Sequence, residues 1–218
     1  MAGSNNRAVR WRWLLWGAMA TLAGYFVAKH ALPKFVLSQE VYTEYYWERR
    51  GTLLTHVISG LAALLLGPLQ FFWSRRETWM ALHRWTGRSY LLCTFVAAIT
   101  AVVLAYTAPV TQPLYAVGLY GVSAFWLYSG FRGWLYARSR RSTLHRRWMI
   151  RNYTTTFFFV LFFAFFDGLM WFGWPEEDWA NAITWAVWLG LILPLIVVEL
   201  CLRLRTKSQS AAPIAPAG

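Results

Sequence analysis

The chain has 218 residues, of which 58% are hydrophobic, 19% aromatic and 14% charged, with a net charge of +12. Soluble domains carry roughly 25% charged residues, so lipid rather than water is the expected solvent for most of this chain. The basic residues fall in short groups between long apolar runs, which fits membrane orientation and excludes a nucleic-acid-binding patch.

Six apolar stretches, each near the ~20 residues that cross a bilayer core, predict helices over 13–31, 53–73, 89–108, 114–136, 150–173 and 182–202. Arg7, Arg10 and Arg12 precede the first. Lys29, His30 and Pro33 follow it without a small-residue cleavage site, so it is read as an uncleaved span. The fold class is therefore all-α: a polytopic membrane protein with six transmembrane helices. Residues 1–12 form a cytoplasmic N-terminus, 13–203 the transmembrane domain and 204–218 a disordered cytoplasmic tail.

Charge sets the expected topology. Most of the 21 Lys and Arg fall at the N-terminus, in the second-to-third and fourth-to-fifth connections, and after the sixth span. The opposite loops hold Lys29, Lys34, Arg49 and Arg50, together with Glu40, Glu44, Glu48, Glu176, Glu177 and Asp178. This asymmetry predicts that both termini are cytoplasmic. The outer loop at 33–51, with Tyr42, Tyr45, Tyr46 and Trp47, is expected to form a short interfacial helix. Pro68 and Pro194 are expected to kink their helices. Cys93 and Cys201 lie in apolar runs without a CxxC spacing, which argues against a disulfide framework.

Two segments repeat: Leu82-His83-Arg84-Trp85 running to Arg88 and Tyr90, and Leu144-His145-Arg146 running to Trp148, Arg151 and Tyr153. Each opens a helix. The repeated unit is a helical hairpin, so spans two to five would form a four-helix core of two parallel hairpins, flanked by spans one and six. A two-fold axis through that core sets His83 and His145 opposite each other.

Thr55–Phe71 (THVISGLAALLLGPLQF), Leu82–Tyr90 (LHRWTGRSY) and His145–Phe157 (HRRWMIRNYTTTF) resemble the bacterial membrane family of domain of unknown function 2306. The resemblance implies a membrane fold and no particular chemistry. Members of that family carry a further Arg after the aromatic stretch of the fifth helix, where this chain reads FFFVLFFAFF. The architecture is also similar to cytochrome b561-type proteins, with their four-helix haem cores. Those carry a second His pair; here the repeat counterpart of His56 falls near Gly118 and Gly121.

Two candidate sites follow. His83 and His145 are placed to ligate a haem b, with Arg84, Arg88, Arg146 and Arg151 for its propionates. The plainer reading is a His–Arg cluster that binds lipid phosphates or helix ends. His56 and Asp167 lie inside spans near the other surface, where ionisable groups are costly. With Lys29 and Tyr115 they could exchange protons with a quinol, or form a structural pair between helices. Glu199 and Arg203 are spaced for an i,i+4 pair. The Phe run from 157 to 166 is expected to face lipid and core rather than a cofactor.

No GxGxxG, Walker loop, HExxH or GxSxG occurs. The leading expectation is a haem- or quinone-linked electron-transfer membrane protein. Its rivals are an accessory subunit of a larger membrane complex and a small-solute transporter.

Overall fold

The computed structural model describes residues 2–36, 38, 44–74, 77–108 and 112–210, and every described element is helical. Helix α1 spans Ala2–Phe26 and continues through a π-turn, Val27–Ala31, and a 3-10 turn, Leu32–Phe35. A one-turn helix α2, Glu44–Glu48, precedes α3, Arg50–Trp73. Then come α4, Met80–Tyr106, and α5, Pro113–Arg138. Helices α6, Ser142–Thr156, and α7, Phe158–Trp171, form one rod interrupted at Phe157. The last helix, α8, is Trp179–Ser210.

Among the described residues, four runs are long and apolar enough to cross a membrane: Arg50–Trp73, Glu77–Tyr106, Ser142–Trp171 and Glu176–Thr206. The sequence expectation was six. Helices α1 and α5 are of similar length, but they are rich in Trp, Tyr, Gly and Ser and carry arginines, so their apolar content is diluted.

Several boundaries also move. Helix α4 begins at Met80 and α6 at Ser142, well before the apolar windows open at 89 and 150. These polar first turns are helical because backbone hydrogen bonding continues beyond the apolar stretch. Helix α8 runs to Ser210, so 204–210 are helix rather than the expected disordered tail. Residues 211–218 lie outside the described residues, as do Glu40, Tyr42, Arg75 and Arg76. Among the described residues of the outer loop, α2 and the 3-10 turn are regular.

Helix α3 packs along α4, and α5 along α6. Helix α8 lies against α5, α6 and α7, while α1 touches α7. Close approach depends on small residues: a Cβ at Gly67 would lie 2.1 Å from the Tyr153 ring, and one at Gly118 2.5 Å from Val187. The α5–α6 turn closes through Arg140 at φ 56, with Arg141 N–H donating to the Tyr136 carbonyl at 3.0 Å.

A buried polar network joins α4, α5 and α6. Tyr90 Oη donates to Asn152 Oδ1 at 2.6 Å and lies 2.6 Å from Thr156 Oγ1. Asn152 Nδ2 donates to the Trp126 carbonyl and to Ser129 Oγ, while Trp126 Nε1 donates to Thr156 Oγ1. Asn152 and Ser129 are fully buried. In so apolar a setting each bond is strengthened and each unmade bond costly. Tyr45 pins α2 to the end of α4, bonding the Leu104 carbonyl at 2.7 Å and Thr107 Oγ1 at 2.8 Å.

Candidate functional site

A cavity of about 360 Å³ opens among α3, α4, α5, α7 and the end of α1. Its walls are largely apolar: Leu61, Leu64, Leu104, Phe159, Phe162 and Phe163. The Phe run packs in the core, as expected, and Phe159, Phe162 and Phe163 also line this cavity. Trp126 and Thr156 form the floor, where the cavity meets the buried network. Lys29, His30, Lys34 and Tyr46 line it as well. Burial holds the Lys34 ammonium below the usual lysine range and pushes the Tyr46 phenol up.

His56 lines this cavity from α3. Its Nδ1 lies 2.9 Å from the Ala97 carbonyl and 3.4 Å from Thr100 Oγ1. A carbonyl only accepts, so Nδ1 carries the proton and Nε2 of the neutral ring is an acceptor. Nε2 has no hydrogen-bond partner among the described residues. The ring is held edge-on to Phe159 at 5.1 Å. Tyr115, 9% exposed, lines the same space from α5.

Asp167 does not pair with His56. Its Oδ2 lies 2.8 Å from His30 Nε2, 3.0 Å from Lys29 Nζ and 2.8 Å from the donating Tyr25 Oη. The carboxylate thus ties the π-turn after α1 to α7. The His30 ring stacks on Phe163 at 4.1 Å, which carries the cluster to the cavity edge. His30 and Tyr25 are the partners that sequence reasoning missed. The available signal was that Lys29 and His30 close an apolar span and Asp167 sits in another.

At the opposite end the structure brings His83 and His145 together, with ring centroids 6.3 Å apart and planes at 90°. Two imidazoles sharing one metal through bonds of about 2 Å place their ring centres about 6 Å apart. His145 Nδ1 bonds the Gly133 carbonyl at 2.8 Å, leaving its Nε2 as an acceptor. Gln70, also missed, holds the other ring. Its amide oxygen accepts from Gly87 N–H at 3.0 Å, and its amide nitrogen donates to His83 Nδ1 at 3.0 Å and to the His83 carbonyl at 2.9 Å. That bond occupies the Nδ1 lone pair and places the His83 proton on Nε2, so in this arrangement neither ring nitrogen is free to bind a metal. Arg84, Arg88 and Arg146 are exposed at this end, Arg88 lying 5.1 Å from the Trp85 ring. Arg151 is paired with Glu199 at 2.5 Å, and Glu199 also takes the expected contact with Arg203 at 3.0 Å. Among the described residues no group of three or more His, Cys, Asp or Glu could hold a metal ion.

A family described as "Predicted membrane protein (DUF2306)" matches residues 53–202. The chain belongs to the DUF2306 family. The matched region runs from the first turn of α3 to α8, so it contains His56, His83, His145, Asp167 and Gln70, while His30 lies before it. No curated protein and no solved structure matches this DUF2306 chain.

Proposed function

We propose that this DUF2306 protein binds a quinone or quinol in the cavity beside His56, as part of membrane electron transfer. The observation that carries the reading is the fixed tautomer of His56. Its Nδ1–H is spent on the Ala97 carbonyl, which leaves Nε2 as an acceptor with no partner among the described residues, on a largely apolar cavity. Ligand pockets of this kind join apolar walls to a few placed polar groups. A quinol supplies the matching chemistry: a flat ring for Phe159 and Phe163, a hydroxyl donor for Nε2, and an isoprenoid tail for the leucines.

The reading extends to topology. The bundle is taken as six crossings, with α1 and α5 sheltered by their neighbours, both termini on the cytoplasmic face, and α3–α4 and α5–α6 as repeated hairpins. On that reading the His56 cavity opens towards the outer leaflet of a bacterial inner membrane.

The test is a titration of detergent-purified protein with a short-tailed quinol, followed by calorimetry. Saturable binding is expected, weakened about tenfold in His56→Ala, the effect of one hydrogen bond of about 1.4 kcal/mol. Unsaturable partitioning, equal in both proteins, would refute it.

A second reading is a haem b between His83 and His145, favoured by their 6.3 Å spacing. It requires Gln70 to release His83 Nδ1 or rotate its amide. An absorption spectrum decides it: a Soret band lost in His83→Ala and in His145→Ala supports haem. A colourless protein from haem-replete cells removes it. A third reading, an accessory subunit of a larger complex, predicts partner chains that co-purify with the protein.

A further inference from the structure

Arg132 lies on α5 six residues before the helix end at Arg138, about 9 Å inside it by helical rise. Its guanidinium sits 5.0 Å from the Tyr136 ring, 5.3 Å from Trp148 and 5.9 Å from Tyr128. Nη2 donates to Tyr136 Oη. Nε is buried and has no hydrogen-bond partner among the described residues. No described carboxylate pairs with Arg132, whereas Arg151, over the same Trp148 ring at 5.1 Å, is neutralised by Glu199.

A buried guanidinium edge with no acceptor is costly, and three aromatic faces compensate only part of an unpaired charge. An ionisable group at such depth implies a partner. The neighbouring surface identifies its source. Tyr128, Phe131, Trp134 and Leu135 are 48%, 57%, 41% and 41% exposed, an aromatic and aliphatic flank that suits lipid. An anion reaching Arg132 across that flank arrives with a hydrophobic body attached.

We infer that Arg132, with Tyr136 and Trp148, holds the phosphodiester of an anionic phospholipid from the leaflet at the arginine-rich end. With Nε buried, the guanidinium presents its Nη edge to the phosphate oxygens. Tyr136 Oη, which accepts from Arg132, has its own proton free for a third contact. Trp148 covers the site where α6 meets α5. The inference is independent of the quinol reading, since the two sites lie at opposite ends of the bundle.

The full-length protein in detergent would be titrated with phosphatidylglycerol, phosphatidylcholine and inorganic phosphate, with bound species counted by native mass spectrometry. One phosphatidylglycerol is expected to bind in preference to phosphatidylcholine. Its affinity should fall about tenfold in Arg132→Gln and severalfold in Arg132→Lys, which keeps the charge and loses the fork. Arg138→Gln, an exposed neighbour, is the control and should match wild type. Equal binding by wild type and Arg132→Lys, or equal binding of the two lipids, overturns the inference. Displacement of phosphatidylglycerol by millimolar inorganic phosphate also overturns it, assigning the site to a free anion.

Discussion

Across 137 residues of sequence, His30 Nε2 meets Asp167 Oδ2 at 2.8 Å. Both side chains are largely buried, at 15% and 19% exposure, while Lys29 on the same oxygen is half exposed. The contact secures α1 to α7 and forms one rim of the cavity. Asp167→Asn keeps the shape but removes the charge that faces His30, Lys29 and Tyr25. We expect it to destabilise the protein by about 2 kcal/mol, less than the cost of breaking a fully buried pair because both groups keep some exposure. Lys29→Ala should cost well under 1 kcal/mol, since exposed pairs are screened. Thermal unfolding in detergent measures both.

The Asn152 network makes a second prediction. Asn152→Leu takes one hydrogen bond each from the Tyr90 hydroxyl, the Trp126 carbonyl and Ser129 Oγ, all buried in apolar surroundings. A loss of about 3 kcal/mol is expected. Tyr90→Phe removes one partner and leaves Thr156 Oγ1 bonded to Trp126 and to the Asn152 carbonyl, so about 1 kcal/mol is expected. Reversible denaturant unfolding in mixed micelles ranks the two variants, and the order matters more than either value.

Gly67 is a third test. A Cβ there meets Cε2 of Tyr153 at 2.1 Å, and that ring is held by its own hydroxyl on the Leu64 carbonyl at 3.2 Å. Gly67→Ala must therefore part α3 from α6, at a cost of about 1–3 kcal/mol. Gly133→Ala meets the flexible end of Met149 and should cost less. Gly121→Ala meets nothing within 4 Å and should be neutral. Melting temperatures should fall in that order.

Arg140 is the described non-glycine residue with a left-handed backbone, at φ 56. It follows α5 in the position where glycine is preferred. Arg140→Gly should stabilise the protein by about 1 kcal/mol through relief of that strain. A lower melting temperature would mean that the arginine makes compensating contacts.

Much of this fold could be read from hydrophobic length. The apolar runs at 53–73, 150–173 and 182–202 match α3, the α6–α7 rod and α8 to within a few turns. The LHR repeat anticipated that His83 and His145 would meet. What the sequence concealed was tertiary. Nothing local in Lys29-His30 says that α1 leans on α7, so Asp167 was grouped with His56 and Tyr115 as well as with Lys29, and of these it is Lys29 that meets it. Gln70 carries no local sign of its role, because its partners, His83 and Gly87, lie across the turn between α3 and α4. The polar starts of α4 and α6 were invisible to an apolar window, since their helical turns are built from His, Arg and Thr. The cavity itself depends on which Phe side chains turn inward, and that is decided by packing against α1 and α8 rather than by the run of Phe.

The central claim is that the His56 cavity holds a quinone, and organic extraction of the gently purified protein tests it most directly. Chromatography of the extract should give near-stoichiometric isoprenoid quinone from wild type and a several-fold lower amount from folded His56→Ala. Wild-type extracts with only the background quinone of the detergent–lipid micelle, matched by the variant, would contradict it.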